Sequence, residues 1–412
     1  MIKVAVMGYG TIGSGVVEII EKNQDILFRQ TGGPVEVKYV LDLREFPGTS
    51  IQNKVVHDLA VIEQDPEVSI VVETMGGTNP AFPFVKRCLE AGKHVTTSNK
   101  ALVAAHGTEL LAVAADHNVN FFFEASVGGG IPIVRNLSDC LVGEKIESIT
   151  GILNGTTNYI LTKMDVEGES FDTALKEAQD LGYAERNPEA DVEGHDTCRK
   201  IAILTALATG KEVNYEDIYT EGITKITDID FAYAEKLGAS VKLLGSSQMT
   251  DGKVSAYVAP VLIGKKNPLY AVSDVYNGIS VRGNMLGNAM FYGSGAGKLP
   301  TASAVIADII GISKHASVNV PVGWTSERQE IAPMETTSHR YFLRMSGTID
   351  AVRADLREIY ETGQVVILEG MDEFAILTEV MVEKEFMEKR AALEKVLEEK
   401  HMEIRQMIRA DL

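Results

Sequence analysis

The stretch IKVAVMGYGTIGSGVVEII, residues 2–20, decides the fold. A short apolar strand runs into a glycine-rich turn, and a helix with apolar periodicity follows. Gly8, Gly10 and Gly13 stand in G-x-G-x-x-G register. The first permits the tight turn, the second lets backbone approach a pyrophosphate, and the third lets helix pack on strand. The helix start, with Thr11 and Ile12 in its first turn, offers unpaired N–H groups to phosphate. The glycine register alone is a weak signal. Its place after a strand and before a helix is the context that gives it weight.

Alternation continues outward from this turn. VEVKYVLD (35–42) is a second strand, SIVVETMGG (69–77) a buried strand closed by a Gly-Gly turn, and PAFPFVKRCLEAG (80–92) a helix. The strand HVTTS (94–98), the pair Asn99-Lys100, the helix GTELLAVAADHN (107–118) and the strand VNFFFEASVGGGIPI (119–133) come next. Strands alternating with helices predict a doubly wound parallel sheet, so the fold class is α/β with a Rossmann domain. Ligands bind such sheets beyond the carboxyl ends of the strands, where Thr74–Gly76, Asn99-Lys100 and Glu124–Gly130 fall. Asp42 closes the second strand, 29 residues beyond Gly13. It is either a ribose-binding acid or a solvated strand-end acid. In the first role it favours NAD over NADP, and Arg44 nearby works against that preference.

Composition sets the wider bounds. The 412 residues are 45% hydrophobic, enough for two or three domains with large cores. A net charge of −19 argues against nucleic acid or anionic membrane as a partner. The start MIKVAVMGYG has no signal-peptide pattern, and no apolar run reaches the length of a membrane span. Cys88, Cys140 and Cys198 are widely spaced, which suits reduced thiols in a cytoplasm.

Residues 184–200, AERNPEADVEGHDTCRK, carry a run of carboxylates up to the start of an apolar helix, with Lys200 one turn inside it. As an isolated segment it reads as acids complementing a helix dipole, with Asp196 and Lys200 an ordinary i,i+4 pair. GILNGTTNYILTKM (151–164) precedes it, and GSGAGKLPTASAV (293–305) is a second glycine loop, ending on Gly297, that enters a helix.

Together GYGTIGSG, SNKALVA (98–104), EASVGGGIPI (124–133), GILNGTTNYIL (151–161), GYAERNPEADVEGHDTCRK (182–200) and GSGAGKLPTASAV closely resemble homoserine dehydrogenase, in the right order over about residues 1–315. The resemblance implies NAD(P)-dependent interconversion of L-homoserine and L-aspartate 4-semialdehyde. It places the catalytic proton donor on Lys200, a second active-site lysine on Lys100, and substrate-binding acids on Glu185, Asp191 and Asp196. Cofactor contacts fall on Gly8, Gly10, Thr11, Ile12, Gly13, Asp42, Lys100, Gly182 and Gly297. A monovalent-cation site (Na+ or K+) falls on Glu124, Val127, Gly129 and Ile131. Asn187 stands where the family usually has Asp, at a position without a catalytic role. The chemistry agrees: hydride reduction of an aldehyde leaves an alkoxide that needs a cationic proton donor, and an amino-acid ammonium needs carboxylates. Two other readings stay open, a dehydrogenase for a related amino-acid substrate and a catalytically silent NAD-binding regulator. Aspartate-semialdehyde dehydrogenase is disfavoured, for lack of a suitably placed cysteine.

The implied domains are a dinucleotide-binding domain (1–130 with 298–315), a mixed α/β substrate and dimerisation domain (131–297), a linker (316–337) and a C-terminal module (338–412), in a homodimer or homotetramer. In that last module HRYFLRMS, IDAVRADLREIYETG, QVVILEG, EFAILTEVM, EFMEKRAALEKVLEEK and MEIRQMIRADL read as βαββαβ, which looks like a ferredoxin-like ACT domain. Its first turn, SGTID (346–350), keeps Gly347 but lacks the usual proline, leaving a threonine sensor and a structural, dimer-forming module both open.

Overall fold

The computed structural model describes residues 1–250, 252–361 and 363–412. The chain forms two compact units. One comprises Met1–Lys145, Ala202–Tyr215 and Phe291–Gln329; the other comprises Ile146–Ile201, Glu216–Met290 and Glu330–Leu412. These units cut the chain at other places than the functional domains expected above.

In the first unit, strands β1 (Ile2–Met7), β2 (Val35–Leu41), β3 (Val55–Val56), β4 (Val68–Glu73), β5 (His94–Thr97) and β6 (Phe121–Phe122) form one sheet in the order 3-2-1-4-5-6. Every neighbouring pair is parallel. This is the Rossmann order, and its direction reverses between β1 and β4, so their carboxyl ends open the binding crevice. Val4, Val6, Ile70 and Val72 on one face and Ala5 and Val71 on the other are all buried, because a strand covered on both faces needs apolar residues on both. Helix Thr11–Lys22 places Val16, Val17 and Ile20 on that core, and helix Lys298–Lys314 adds Val305, Ile309 and Ile312. The two helices approach closely at Gly15, where a Cβ would lie 2.8 Å from the Lys298 carbonyl. The long crossover before Asp42 is filled by a further helix, Gln24–Thr31.

Two expected elements differ in extent. The helix expected from residue 107 begins at Lys100, with the Asn99 side chain accepting from the Leu102 amide. Gly107, taken as a helix start, is interior and packed against Trp324. The strand expected over 119–133 pairs only at Phe121–Phe122. Beyond it the chain turns through residues 124–126, and Gly128 and Gly129 adopt φ of +73° and +56°, incompatible with a strand.

The second unit is built on an eleven-stranded mixed sheet. From strand Ile146–Ile152 it runs through Ala239–Thr250, Lys253–Gly264, Ile404–Asp411, Ser338–Ser346, Glu373–Thr378 and Gly363–Ile367. Neighbours in this run are antiparallel except Lys253–Gly264 with Ile404–Asp411, which pair parallel. The last four strands carry helices Ile349–Tyr360 and Glu383–Glu399 between them, giving β-α-β-β-α-β in the spatial order 4-1-3-2. Ile349, Val352, Leu356 and Tyr360 form one buried stripe at helical spacing, facing the same core as Phe386, Leu393 and Leu397. Thr362, in the expected last turn of the first of these helices, lies outside the described residues.

Candidate active site

In the first unit, the nucleotide end of the sheet is shaped by glycine. Gly8 has φ +93°, and a Cβ on Gly13 would fall under 3.0 Å from the Gly8 carbonyl. Gly10 caps helix Thr11–Lys22 without a side chain, and a Cβ there would meet nothing within 4 Å. Gly10 and Thr11 are exposed, so the helix starts at an open surface, with Ile12 half-buried and Gly13 buried behind it. Gly297, at φ +116°, caps helix Lys298–Lys314 in the same unit.

Asp42 follows β2 directly. Its Oδ2 accepts from the Tyr9 amide at 2.8 Å, and Arg44 grips both oxygens through Nε and Nη2 at 2.9 Å each. The Arg44 guanidinium holds the Asp42 carboxyl well below the usual carboxylate range. Arg44 also lies over the Phe46 ring, which meets Tyr9 edge-on. At the end of β4, Glu73 is fully buried, accepts from Thr97 Oγ1 and the Met75 amide at 2.6 Å each, and is pushed up by burial. Asn99 donates to the Gly77 carbonyl at 2.5 Å, and Lys100, half-buried, opens its helix. Glu73 was missed by sequence reasoning; the signal available was an acid closing an otherwise apolar strand.

Glu124 is buried, and its two oxygens accept from the amides of Val134 (2.9 Å) and Arg135 (2.8 Å). Its own amide donates to Asp308, which also pairs with Arg135 at 2.9 Å. Burial, and then the Asp308 charge, push Glu124 up to about 7. Val127 and Ile131 are buried, and the Gly128 carbonyl accepts from the Ile131 amide, closing the turn that holds Gly129. Among the described residues no group of three or more His, Cys, Asp or Glu could hold a metal ion. A backbone-carbonyl site of the expected kind would not form such a group.

In the second unit, the acidic segment folds around one amide side chain. Asn154, between strand Ile146–Ile152 and helix Gly155–Glu167, caps that helix by accepting from the Thr157 amide. Its Nδ2 donates to Asp191 Oδ1 at 2.7 Å and to Asp196 Oδ2 at 2.9 Å. Lys200 Nζ lies 2.7 Å from the same Asp196 oxygen and donates to the Leu153 carbonyl at 2.7 Å. The Lys200 and Asp196 side chains are 10% and 3% exposed, which removes this pair from the class of surface ion pairs of little worth. The structure thus brings Asp191, Asp196 and Lys200 together on Asn154 and Leu153. Glu185 is exposed on the turn before helix Glu189–Val192, where its backbone carbonyl accepts from Gln179. Gly182, at φ +76°, is exposed on the turn after helix Phe171–Asp180. Asn154 and Leu153 lie within a motif read from the sequence, yet their roles were not; an Asn-Gly pair between strand and helix is the cap signal that marks them.

One unit thus presents a glycine turn at an exposed helix start, and the other a buried lysine among carboxylates. The chain matches the family model described as Homoserine dehydrogenase over residues 132–310, and that described as Homoserine dehydrogenase, NAD binding domain, over residues 8–124. It is 41% identical to the homoserine dehydrogenase of Bacillus subtilis over 351 residues, 84% of this chain and 81% of the relative. It is 37% identical to that of Neisseria gonorrhoeae over 413 residues, 95% of each. Among solved structures, a homoserine dehydrogenase from Thiobacillus denitrificans superposes with a TM-score of 0.90 at 33% identity, covering 100% of this chain and 98% of that one. A hyperthermophilic archaeal homoserine dehydrogenase in complex with NADPH gives 0.64 at 28% identity, covering 76% and 98%. Glycine turn, buried lysine and these likenesses agree over most of the sequence, and the chain belongs to the homoserine dehydrogenase family of NAD(P)-dependent oxidoreductases.

Proposed function

We propose that Lys200 is the acid/base of this oxidoreductase, protonating the oxygen of L-aspartate 4-semialdehyde as hydride arrives and deprotonating the L-homoserine hydroxyl in reverse. A bound nicotinamide supplies or accepts the hydride. The observation that carries the reading is the hold on Lys200: the Leu153 carbonyl and Asp196 grip its ammonium in a buried setting. Asp191 and Asp196 receive the substrate ammonium, with Glu185 at the rim, and Lys100 is the second lysine of the reaction. Lys200→Ala is expected to lower kcat by about 10²–10⁴-fold, the range for losing a general acid, with the dinucleotide KM retained. Oxidation of L-homoserine at an unaltered rate would remove Lys200 from this role.

The cofactor contacts proposed are Gly8, Gly10, Thr11, Ile12, Gly13, Asp42, Lys100, Gly182 and Gly297. The preference leans to NAD, since Asp42 suits ribose hydroxyls, and the Arg44 fork on Asp42 tempers its charge. Arg44→Ala is expected to lower kcat/KM with NADP more than with NAD. Equal losses would remove Arg44 from the choice.

Glu124, with the carbonyls of Val127, Gly129 and Ile131, is proposed to hold Na+ or K+, because a cation would offset the buried Glu124–Asp308 charge. Activity compared in sodium, potassium and tetramethylammonium buffers tests this. Residues 1–130 with 298–315 would serve the dinucleotide, 131–297 the substrate and dimer contact, 316–337 as linker, and 338–412 as an ACT-like module. The 4-1-3-2 strand order supports that last reading. Titration with L-threonine separates a sensor from a structural module, and light scattering gives the homodimer or homotetramer. A cytoplasmic location accords with the described residues, in which no helix is long and apolar enough to cross a membrane.

A further inference from the structure

Arg409 stands in the last strand with its side chain 2% exposed. Its planar fork is bidentate on Glu383, through Nε at 3.1 Å and Nη2 at 2.5 Å, while Nη1 reaches Glu221 Oε2 at 3.0 Å. Tyr341 donates its hydroxyl to Glu383 at 2.8 Å, and the guanidinium lies over the Tyr219 ring. Glu383 and Tyr341 belong to the C-terminal module, whereas Tyr219 and Glu221 lie between the Lys200 helix and strand Ala239–Thr250. A buried ion pair is a poor source of stability, since desolvation offsets most of its attraction. A guanidinium fork that engages two carboxylates does fix their geometry.

The backbone next to Glu221 holds the acidic segment. Its amide donates to the Val258 carbonyl at 2.8 Å, and Ile223, two residues on, donates to the Val192 carbonyl at 2.8 Å. Between them Gly222 lies so close to Val192 and Glu193 that a Cβ would sit under 3.0 Å from both. Val192 adjoins Asp191 in helix Glu189–Val192. Gly194, at φ +81°, packs on Val258 and Thr220, and its carbonyl accepts from the Cys198 amide in the first turn of the helix that carries Lys200. One short path of hydrogen bonds and close contacts therefore runs from the C-terminal module to the residues around Asn154.

We infer that Arg409 and Glu221 are positioning residues for the homoserine site: through them the C-terminal module sets the height of the Asp191 turn and the start of the Lys200 helix. The inference rests on the roles given above to Asp191, Asp196 and Lys200. Neither residue touches the reacting atoms; they act through Gly222 and Val192.

The test uses the full-length enzyme carrying Glu221→Gln, which keeps the shape and removes the charge, and Arg409→Lys, which keeps the charge and removes the fork. Glu221 is partly exposed, so Glu221→Gln keeps the test open if the Arg409 variant fails to fold. Asp191→Asn is measured beside them, and Arg353→Ala, on an exposed helix face of the module, is the control. Glu221→Gln is expected to raise the L-homoserine KM about tenfold, with the dinucleotide KM unchanged and kcat within about twofold. Combined with Asp191→Asn it adds less than its separate effect. A lower melting temperature with an unaltered homoserine KM would show a merely structural role and overturn the inference, as would equal rises in both KM values. An unaltered homoserine KM in Asp191→Asn would remove the substrate-acid reading, and the inference with it.

Discussion

Gly10 and Gly13 lie in one turn yet answer to different demands. A methyl at Gly13 collides with the Gly8 carbonyl, so Gly13→Ala should lower the melting temperature of the protein without any ligand. A methyl at Gly10 meets only open space, in backbone that alanine tolerates, so Gly10→Ala should melt like the parent. It should nonetheless weaken dinucleotide binding by about tenfold or more, because that space is where a pyrophosphate comes close to backbone. Calorimetry of both variants, with and without cofactor, checks the contrast; equal melting temperatures for Gly10→Ala and Gly13→Ala would refute it. A second residue-scale effect concerns pH. Burial, reinforced by Arg409, pushes His339 down to about 4. In the unfolded chain it titrates near its ordinary 6.5, so below that pH the unfolded state binds the extra proton and stability falls as pH drops towards 4. His339→Asn should lose less stability than the parent between pH 7 and pH 5 in thermal melts, and an equal loss would count against this account. At this scale the sequence was legible where chemistry follows spacing, as in the glycine turn and the Asp196–Lys200 pair. It was opaque where a contact joins distant segments. Nothing local to Asn154 announces that its amide bridges Asp191 and Asp196, 37 and 42 residues away.

Elements obey a mixture of local and distant rules, and helix Lys100–Asp116 shows both. Its start is set locally by Asn99, a good cap that the expected start at Gly107 passes over. Its interior glycine does not follow, because Gly107 breaks the pattern of a helix former. The reason is distant: Trp324 lies on the helix there, 2.7 Å from where a Cβ would be, and donates its indole N–H to Thr108 at 2.9 Å. Gly107→Ala should therefore destabilise by about 1–3 kcal/mol through overpacking, despite alanine's better helix propensity. Trp324 is the only tryptophan of the chain, so the same variant should shift its fluorescence emission. A gain in stability with unchanged emission would show that the ring moves aside freely. The misread strand over 119–133 has the same origin, since its apolar run fits a strand while its glycines serve a turn packed on Gly295.

At the scale of the molecule, the doubly wound order and the βαββαβ order were both legible, because each is written in alternating periodicities. The pairing of the βαββαβ module with strand Lys253–Gly264 was not, since pairing between strands so distant in sequence leaves no local mark. Arg409 pairs in register with Val261, and the last strand lies inside the sheet of the second unit. A chain cut after Thr337 should consequently expose the edge of strand Lys253–Gly264 and aggregate, as light scattering during expression and purification would show. A soluble, monodisperse product melting like the parent would contradict this. Such pairings between distant segments bear on how the protein is made. Helix Thr11–Lys22 leaves the ribosome long before its packing neighbour Lys298–Lys314. At ordinary translation rates that interval is on the order of tens of seconds. The second unit waits longer still, for a strand at residues 404–411 that must enter between two others. During synthesis both nascent units hold open apolar faces, which makes the growing chain, rather than the finished enzyme, the form in greatest need of a chaperone.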